Sequence, residues 1–383
     1  MTKALYGIKI LDLTRLLPGA VCSLMLADMG ADVIKVEDPG AGDYARHMPP
    51  LSDGMGVFFR SSNRNKRSIV IDLKNEGGQA VFHRLVQDAD VVLEGFRPGV
   101  TERLKVDYQT LKAINPRIVY CSLSGWGQNG PYKDISGHDL NYVSLNGLLG
   151  STRTPHPLGG QIADVGGAYI GVMGILAALF KRERSTEGDY IDVALHESAM
   201  PFAMFQFVES ISAGLPGGNG TLTGRMAFYE VYTSSDDKPM SLGAIEAKFW
   251  SNFCEAAGKP DWIARQMDMA NQESLKDDIA ALFKTKTAAE WDAILSPADC
   301  CFTLITPPEN IVDDPQIKAR SMAGVDEKGI PWMRSPLRLV SDDTFALGDV
   351  PQQGEHTVAV LEESGFSLEE IGQYQQSGAI GKS

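Results

Sequence analysis

Between residues 8 and 194 the chain alternates short β-branched runs with stretches long enough for a helix, and this alternation constrains its fold most. The spacing predicts strands over Ile8–Leu13, Asp32–Val36, Ser68–Leu73, Val91–Gly95, Arg117–Ser122 and Tyr190–Ala194. Helices are expected over Val21–Met29, opened by Pro18-Gly19, and over Gly78–Gln87 and Thr101–Ile114. Strands separated by helices of this length pair parallel, with helices on both faces. The fold class expected is therefore α/β, a Rossmann-like parallel sheet. Such sheets bind ligands beyond the carboxyl ends of their strands.

Farther on the rhythm changes. Leu195–Ala213 reads as a helix with Met and Phe spaced for packing, and the Gly/Pro-rich Leu215–Gly220 reads as a domain junction. Strands are expected between Phe228 and Met240 around Ser235-Asp236-Asp237-Lys238, then mixed helices from Ala247 to about Ile311. A short strand at Pro336–Val340 and a helix around Leu368–Ser377 close the pattern. A chain of 383 residues fits a large domain with a smaller α+β lobe.

Composition excludes several partners. A net charge of −14 argues against nucleic acid and acidic membranes, which need a basic face. The odd set Cys22, Cys121, Cys254, Cys300 and Cys301 has no CxxC spacing and reads as reduced, mostly buried thiols of a cytoplasmic protein without a metal site. No secretory signal is expected, because Ile8–Leu13 is too short for one. The uncharged run Val165–Phe180 falls short of a bilayer span and reads as a buried core helix.

Two loop-to-helix junctions carry the chemistry. His138 lies in Gly137-His138-Asp139-Leu140-Asn141-Tyr142, just past a Gly/Pro-rich turn, and Asp164 in Gln161-Ile162-Ala163-Asp164-Val165-Gly166-Gly167. An imidazole and a carboxylate at adjacent junctions suit removal of a proton from one face of a carbon and its return to the other. Histidine titrates near neutrality, whereas a carboxylate needs burial to act as the acid. Asp164 also fits a helix N-cap, and the glycines after it would let backbone N–H groups approach a developing oxyanion. His47, His83, His156 and His196 read as ordinary surface or core residues, and Met200 denies His196-Glu197 a zinc motif. Gly125-Trp126-Gly127-Gln128-Asn129-Gly130 spells a dinucleotide fingerprint, but Pro131 follows at once and no helix opens, so a tight turn beside a site is expected.

Several segments together resemble CoA transferase family III. They are Gly7–Thr14, Leu26–Glu37, Asn63–Ser68, Glu94–Gly99, Ser124–Tyr132 and the block around Asp164. The resemblance holds in register over most of the first 200 residues and thins afterwards. Gly-His-Asp followed by Asn-Tyr looks like the racemase branch, as does Gly243–Trp250.

That branch implies epimerisation of 2-methyl-branched acyl-CoA thioesters through an enolate. His138 and Asp164 would be the two bases and Glu246 would orient His138. Arg46, Arg64, Lys66, Arg97, Asp139 and Tyr142 would contact CoA, which enters as part of the substrate with no other cofactor. The crowd Arg60, Arg64, Lys66 and Arg67 is otherwise a solvated face. The alternative is a CoA transferase in which Asp164 attacks the thioester. The resemblance further implies an interlocked homodimer. Residues 1–214 completed by 336–383 would form the large domain and 225–330 the small one, joined by linkers 215–224 and 331–335. Met200, Phe202, Met204, Phe205 and Phe207 would floor an acyl pocket or form plain core.

Overall fold

A computed structural model describes residues 3–339 and 345–381. The chain divides into two compact units, the first made of residues 1–142, 160–199 and 312–383, the second of 143–159 and 200–311. The expected small-domain span of 225–330 overlaps the second unit over 225–311.

The first unit is built on six parallel strands: β1 (Lys9–Asp12), β2 (Asp32–Glu37), β3 (Arg67–Val70), β4 (Val91–Glu94), β5 (Val119–Ser124) and β6 (Tyr190–Ala194). Their order across the sheet is β3-β2-β1-β4-β5-β6, so the direction of winding reverses between β1 and β4. Alternate strand residues feed two cores, as a period of two requires. Leu11, Ile34, Val36, Val92 and Tyr120 point to one face, where α2 (Glu76–Gln87) and α3 (Tyr108–Ile114) pack. Ile10, Val33, Val91, Leu93 and Cys121 point to the other, covered by α1 (Leu16–Asp28) and α5 (Ile162–Ser185). Between them in sequence lies α4 (Asp139–Leu145).

Local chemistry sets the boundaries. Asn75 caps α2 by accepting from the Gly77 N–H at 2.8 Å, a contact of about 1 kcal/mol. The helix expected over Thr101–Ile114 is two pieces, because Lys105 takes φ +55° and Asp107 restarts the chain by capping Thr110. α1 begins five residues before the expected Val21, with Pro18-Gly19 inside its first turn. Helix α5 is long and apolar enough to cross a membrane, yet half of its most apolar window is buried, with Ala168, Val172, Ile175 and Leu179 in the core. Ile380 bridges to Ile71 in antiparallel sense, so the tail shields the β3 edge of the sheet.

The second unit holds α6 (Met204–Ala213), a three-stranded antiparallel sheet of β7 (Tyr229–Thr233), β8 (Pro239–Gly243) and β9 (Phe302–Leu304), and helices α7 (Ala247–Ala256), α8 (Gln272–Phe283) and α9 (Ala288–Leu295). Trp250, Phe253, Phe283, Trp291 and Phe302 fill its core. The single helix expected over Leu195–Ala213 is broken at Met200–Ala203, where Pro201 interrupts the ladder. Met200, Phe202, Met204, Phe205 and Phe207 are exposed, which corrects the plain-core reading. No strand forms at Pro336–Leu339, and Val340 lies outside the described residues.

Candidate active site

The two singled-out junctions meet at the carboxyl edge of the sheet, beyond β5 and β6. His138 is exposed and directly precedes α4; its N–H donates to the Asn141 side chain at 3.0 Å, and its carbonyl accepts from the Asn141 and Tyr142 N–H groups. Tyr142 is buried and donates its hydroxyl to the Gly137 carbonyl at 2.7 Å. The Trp126 ring meets Tyr142 edge-on, with centroids 5.0 Å apart at 84°. A Cβ on Gly125 would lie 2.3 Å from the Tyr142 hydroxyl, and one on Gly137 2.8 Å from its ring. Glycines at these two places are what let the tyrosine seat. The fingerprint-like loop is indeed a turn, with Gly127 and Gly130 at positive φ and no helix opening from it.

Asp164 is not the N-cap of α5. That position is Gln161, and Asp164 is the third residue of the first turn. The cap comes from outside the helix: Asp139 accepts from the Ala163 and Asp164 N–H groups at 2.6 and 3.1 Å through one carboxylate oxygen. Gly166 and Gly167 lie inside the helix, so their N–H groups belong to its own ladder. The helix-start N–H groups expected to face an oxyanion are those of the first turn, and Asp139 holds two of them. Gly167 serves packing instead, since a Cβ there would lie 2.2 Å from Leu195.

Burial first, then repulsion from Asp139, pushes the Asp164 carboxyl up to about 6, against an opposing pull from His138. Tyr142 is pushed up to about 12 by burial and by Asp164, with exposed Arg97 opposing. Asp164 therefore senses Asp139 and His138, and Tyr142 senses Asp164, Asp139 and Arg97. Such an opening can hold a carboxyl group near its midpoint beside an imidazole.

Three other expected ligands are placed differently. Arg46 forks onto Glu37 at 2.6 and 2.8 Å, donates to the Pro351 carbonyl at 3.0 Å and lies over the Phe59 ring. Arg64 pairs with Asp28 at 2.6 Å. Lys66 is fully buried, donating to the Asn63 side chain at 2.8 Å and the Ala20 carbonyl at 3.1 Å, with Asp12 at 3.7 Å. Arg67 pairs with Asp32 and Glu363. The cluster is thus no solvated face: its cations are taken up by carboxylates of the same chain. A phosphate would reach Arg46 only by displacing Glu37. Glu246 sits at the start of α7 in the second unit, exposed and without a capping bond of its own.

Sequence reasoning missed a cleft of about 790 Å³ past the ends of β1 to β4, at the reversal of strand order. Arg15, Lys74 and Arg103 supply its cations, Arg15 in a half-exposed pair with Asp38 at 2.5 Å, and Tyr44, Leu73 and Phe96 its apolar surface. The signal was available, since Arg15 closely follows the first strand and Lys74 the third. The remaining histidines are ordinary: His47, His83 and His156 each meet a backbone carbonyl, His196 packs on Trp126, and His356 accepts from the Ser68 N–H at 3.3 Å.

A cleft at the strand reversal, on the same sheet edge as a raised carboxyl near an imidazole, fits an enzyme built on a parallel α/β sheet. The CoA-transferase family III profile matches residues 5–357, and the chain belongs to that family. It is 36% identical to human alpha-methylacyl-CoA racemase, over 98% of this chain and 97% of the relative. It is 30% identical to acetyl-CoA:oxalate CoA-transferase of Acetobacter aceti, over 93% and 95% of the two chains. The crystal structure of a CAIB/BAIF family protein from Brucella suis superimposes with a TM-score of 0.82 at 31% identity, covering 95% of this chain and all of that one.

Proposed function

We propose that this enzyme interconverts the two hands of 2-methyl-branched acyl-CoA thioesters. His138 and Asp164 would pass the α-proton through an enolate. The observation that carries this reading is the Asp164 carboxyl, poised at about 6 within the electrostatic reach of His138. An α-proton exchange between faces needs one group deprotonated and its partner protonated, with roles reversing with substrate hand. A carboxyl near 6 serves either role at neutral pH. The positive end of α5 favours the negative charge that grows on the thioester oxygen.

The cleft past β1 to β4 would take the nucleotide end of CoA, with Arg15, Lys74 and Arg103 meeting phosphate. Arg97, next to the cleft residue Phe96 and acting on Tyr142, stands between handle and reacting carbon. Exposed Phe205, Phe207, Val208 and Ile211 on α6 favour a homodimer, since soluble chains rarely leave so many neighbouring apolar side chains open. Glu246 would orient His138 in that assembly.

The test is NMR of a single-epimer 2-methylacyl-CoA in D2O with the purified protein and no acceptor acid. Deuterium at C2 together with the opposite epimer supports the reading. Absence of exchange, with CoA moving to an added carboxylate, would instead make Asp164 a transferase nucleophile.

A further inference from the structure

One polar rung of the large sheet has no part in the proton transfer. Glu94, Ser122 and Asp192 stand side by side where β4, β5 and β6 pair, and so project from the same face. Glu94 and Ser122 are buried, an expensive place for a carboxylate without partners. Its oxygen accepts from the Phe96 N–H at 2.7 Å, and the Ser122 hydroxyl meets it from the next strand. The Gln128 side chain donates to Ser122 at 2.6 Å, while the Gln128 backbone N–H donates to Asp192 at 3.1 Å. Tyr190 adds its own hydroxyl to Ser122.

A serine hydroxyl gives one hydrogen bond and accepts two. Ser122 therefore uses its full capacity when it donates to an ionised Glu94 and accepts from Gln128 and Tyr190. A protonated Glu94 that donated to Ser122 would turn the serine proton away from the carboxylate toward Tyr190, so the charge-assisted bond between β4 and Ser122 would become a weaker neutral one. The two loops tied together this way are not incidental. Phe96 lines the cleft and the charge of Arg97 reaches Tyr142, and Gln128 belongs to the loop whose Trp126 packs on Tyr142.

We propose that Glu94 is a positioning residue, locking the Arg97 loop to the glycine-rich loop through Ser122 and Gln128 so that the CoA cleft and the Tyr142 wall keep one register. This rests on the reading that CoA occupies the cleft. Burial pushes the Glu94 carboxyl up to about 7, with Ser122 and the Phe96 N–H opposing and Glu102 and Asp192 adding repulsion. Tyr120, Tyr190 and Tyr108 complete the side beneath the rung. The lock is accordingly intact above that pH and loosens below it.

Calorimetric titration of the full-length protein with CoA, on both sides of pH 7, tests this in wild type, Glu94→Gln and Gln128→Ala. Wild-type affinity should fall as pH drops through about 7, beyond the change due to the CoA phosphates, which all three proteins share. Glu94→Gln should bind roughly tenfold more weakly above that pH and lose the protein's share of the pH dependence, as expected for one lost charge-assisted hydrogen bond. Gln128→Ala, on a loop, should weaken binding in the same direction. Glu94→Gln with wild-type affinity and profile overturns the proposal. If that variant does not fold, unchanged binding by Gln128→Ala overturns it and weakened binding supports it. Because CoA binding needs no turnover, a wild type that binds CoA yet exchanges no deuterium defeats the epimerase reading and leaves this test standing.

Discussion

The carboxylates beyond β2 and the carboxylate at the start of α5 share one edge of one sheet and live under opposite electrostatics. Beside β2, Glu37 and Asp43 are buried, but Arg46 and Lys35 sit on them at 2.6 and 2.8 Å. Burial raises both groups and these cations more than reverse it, leaving them below the ordinary carboxylate range. Asp164 is less enclosed, yet repulsion from Asp139 adds to the push of burial and the pull of His138 offsets it only in part, so it ends at about 6. Full neutralisation makes scaffold; incomplete neutralisation makes a group that can trade protons at neutral pH.

The contrast breaks most visibly in activity. His138→Ala or Asp164→Ala should slow deuterium exchange by about 10²–10⁴-fold, the range of a lost general acid or base. Arg46→Ala should leave Asp164 untouched and lower the unfolding free energy by roughly 3–5 kcal/mol in urea titrations, because it strands a buried carboxylate. A stability loss from the first pair as large as from the second would dissolve the distinction.

pH sharpens it. In the direction where Asp164 takes the proton, kcat should fall as pH drops through about 6; in the direction where it gives the proton, kcat should fall as pH rises through about 6. Asp139→Asn keeps an acceptor for the helix N–H groups and removes the repulsion, so both limbs should move to lower pH. A profile that stays put would show that burial alone sets the value.

The smallest effect is thermal. A folded-state carboxyl raised above its unfolded value costs stability above about pH 6, a cost that fades as pH falls toward the ordinary 3.8. Asp164→Asn should therefore raise the melting temperature by a few degrees at pH 7 and by less near pH 4. Glu37 carries the opposite sign: its depressed value adds stability above its ordinary 4.5, lost in acid. A melting temperature for Asp164→Asn that drops at pH 7 would place Asp164 with the scaffold carboxylates.

Much of this was legible in the residues. The sixth strand falls at Tyr190–Ala194 as the β-branched run predicts, and the parallel class follows from strand–helix alternation. His138 and Asp164 lie at loop-to-helix junctions visible in the sequence, which is why the pattern could single them out, whereas Asp139 and Tyr142 entered through the family resemblance and their contacts across to α5 and Gly137 needed the fold. The arginine cluster was misjudged because its partners come from afar: Asp28 is 36 residues from Arg64 and Glu363 is 296 from Arg67. Charge runs show on the page, but their partners do not. The break at Lys105 was missed although Asp107 is a good cap, because the apolar spacing ran on through it.

Asp139 adjoins His138, yet it holds the first turn of a helix that begins at Ile162. The proposed base and the cap are thus successive beads on one string, anchored to two different helices. Inserting or deleting a single residue anywhere from Ser136 to Asp139 would shift both at once. Loop grafting between relatives must carry this tetrapeptide as an indivisible block, and directed evolution of this enzyme should vary length elsewhere.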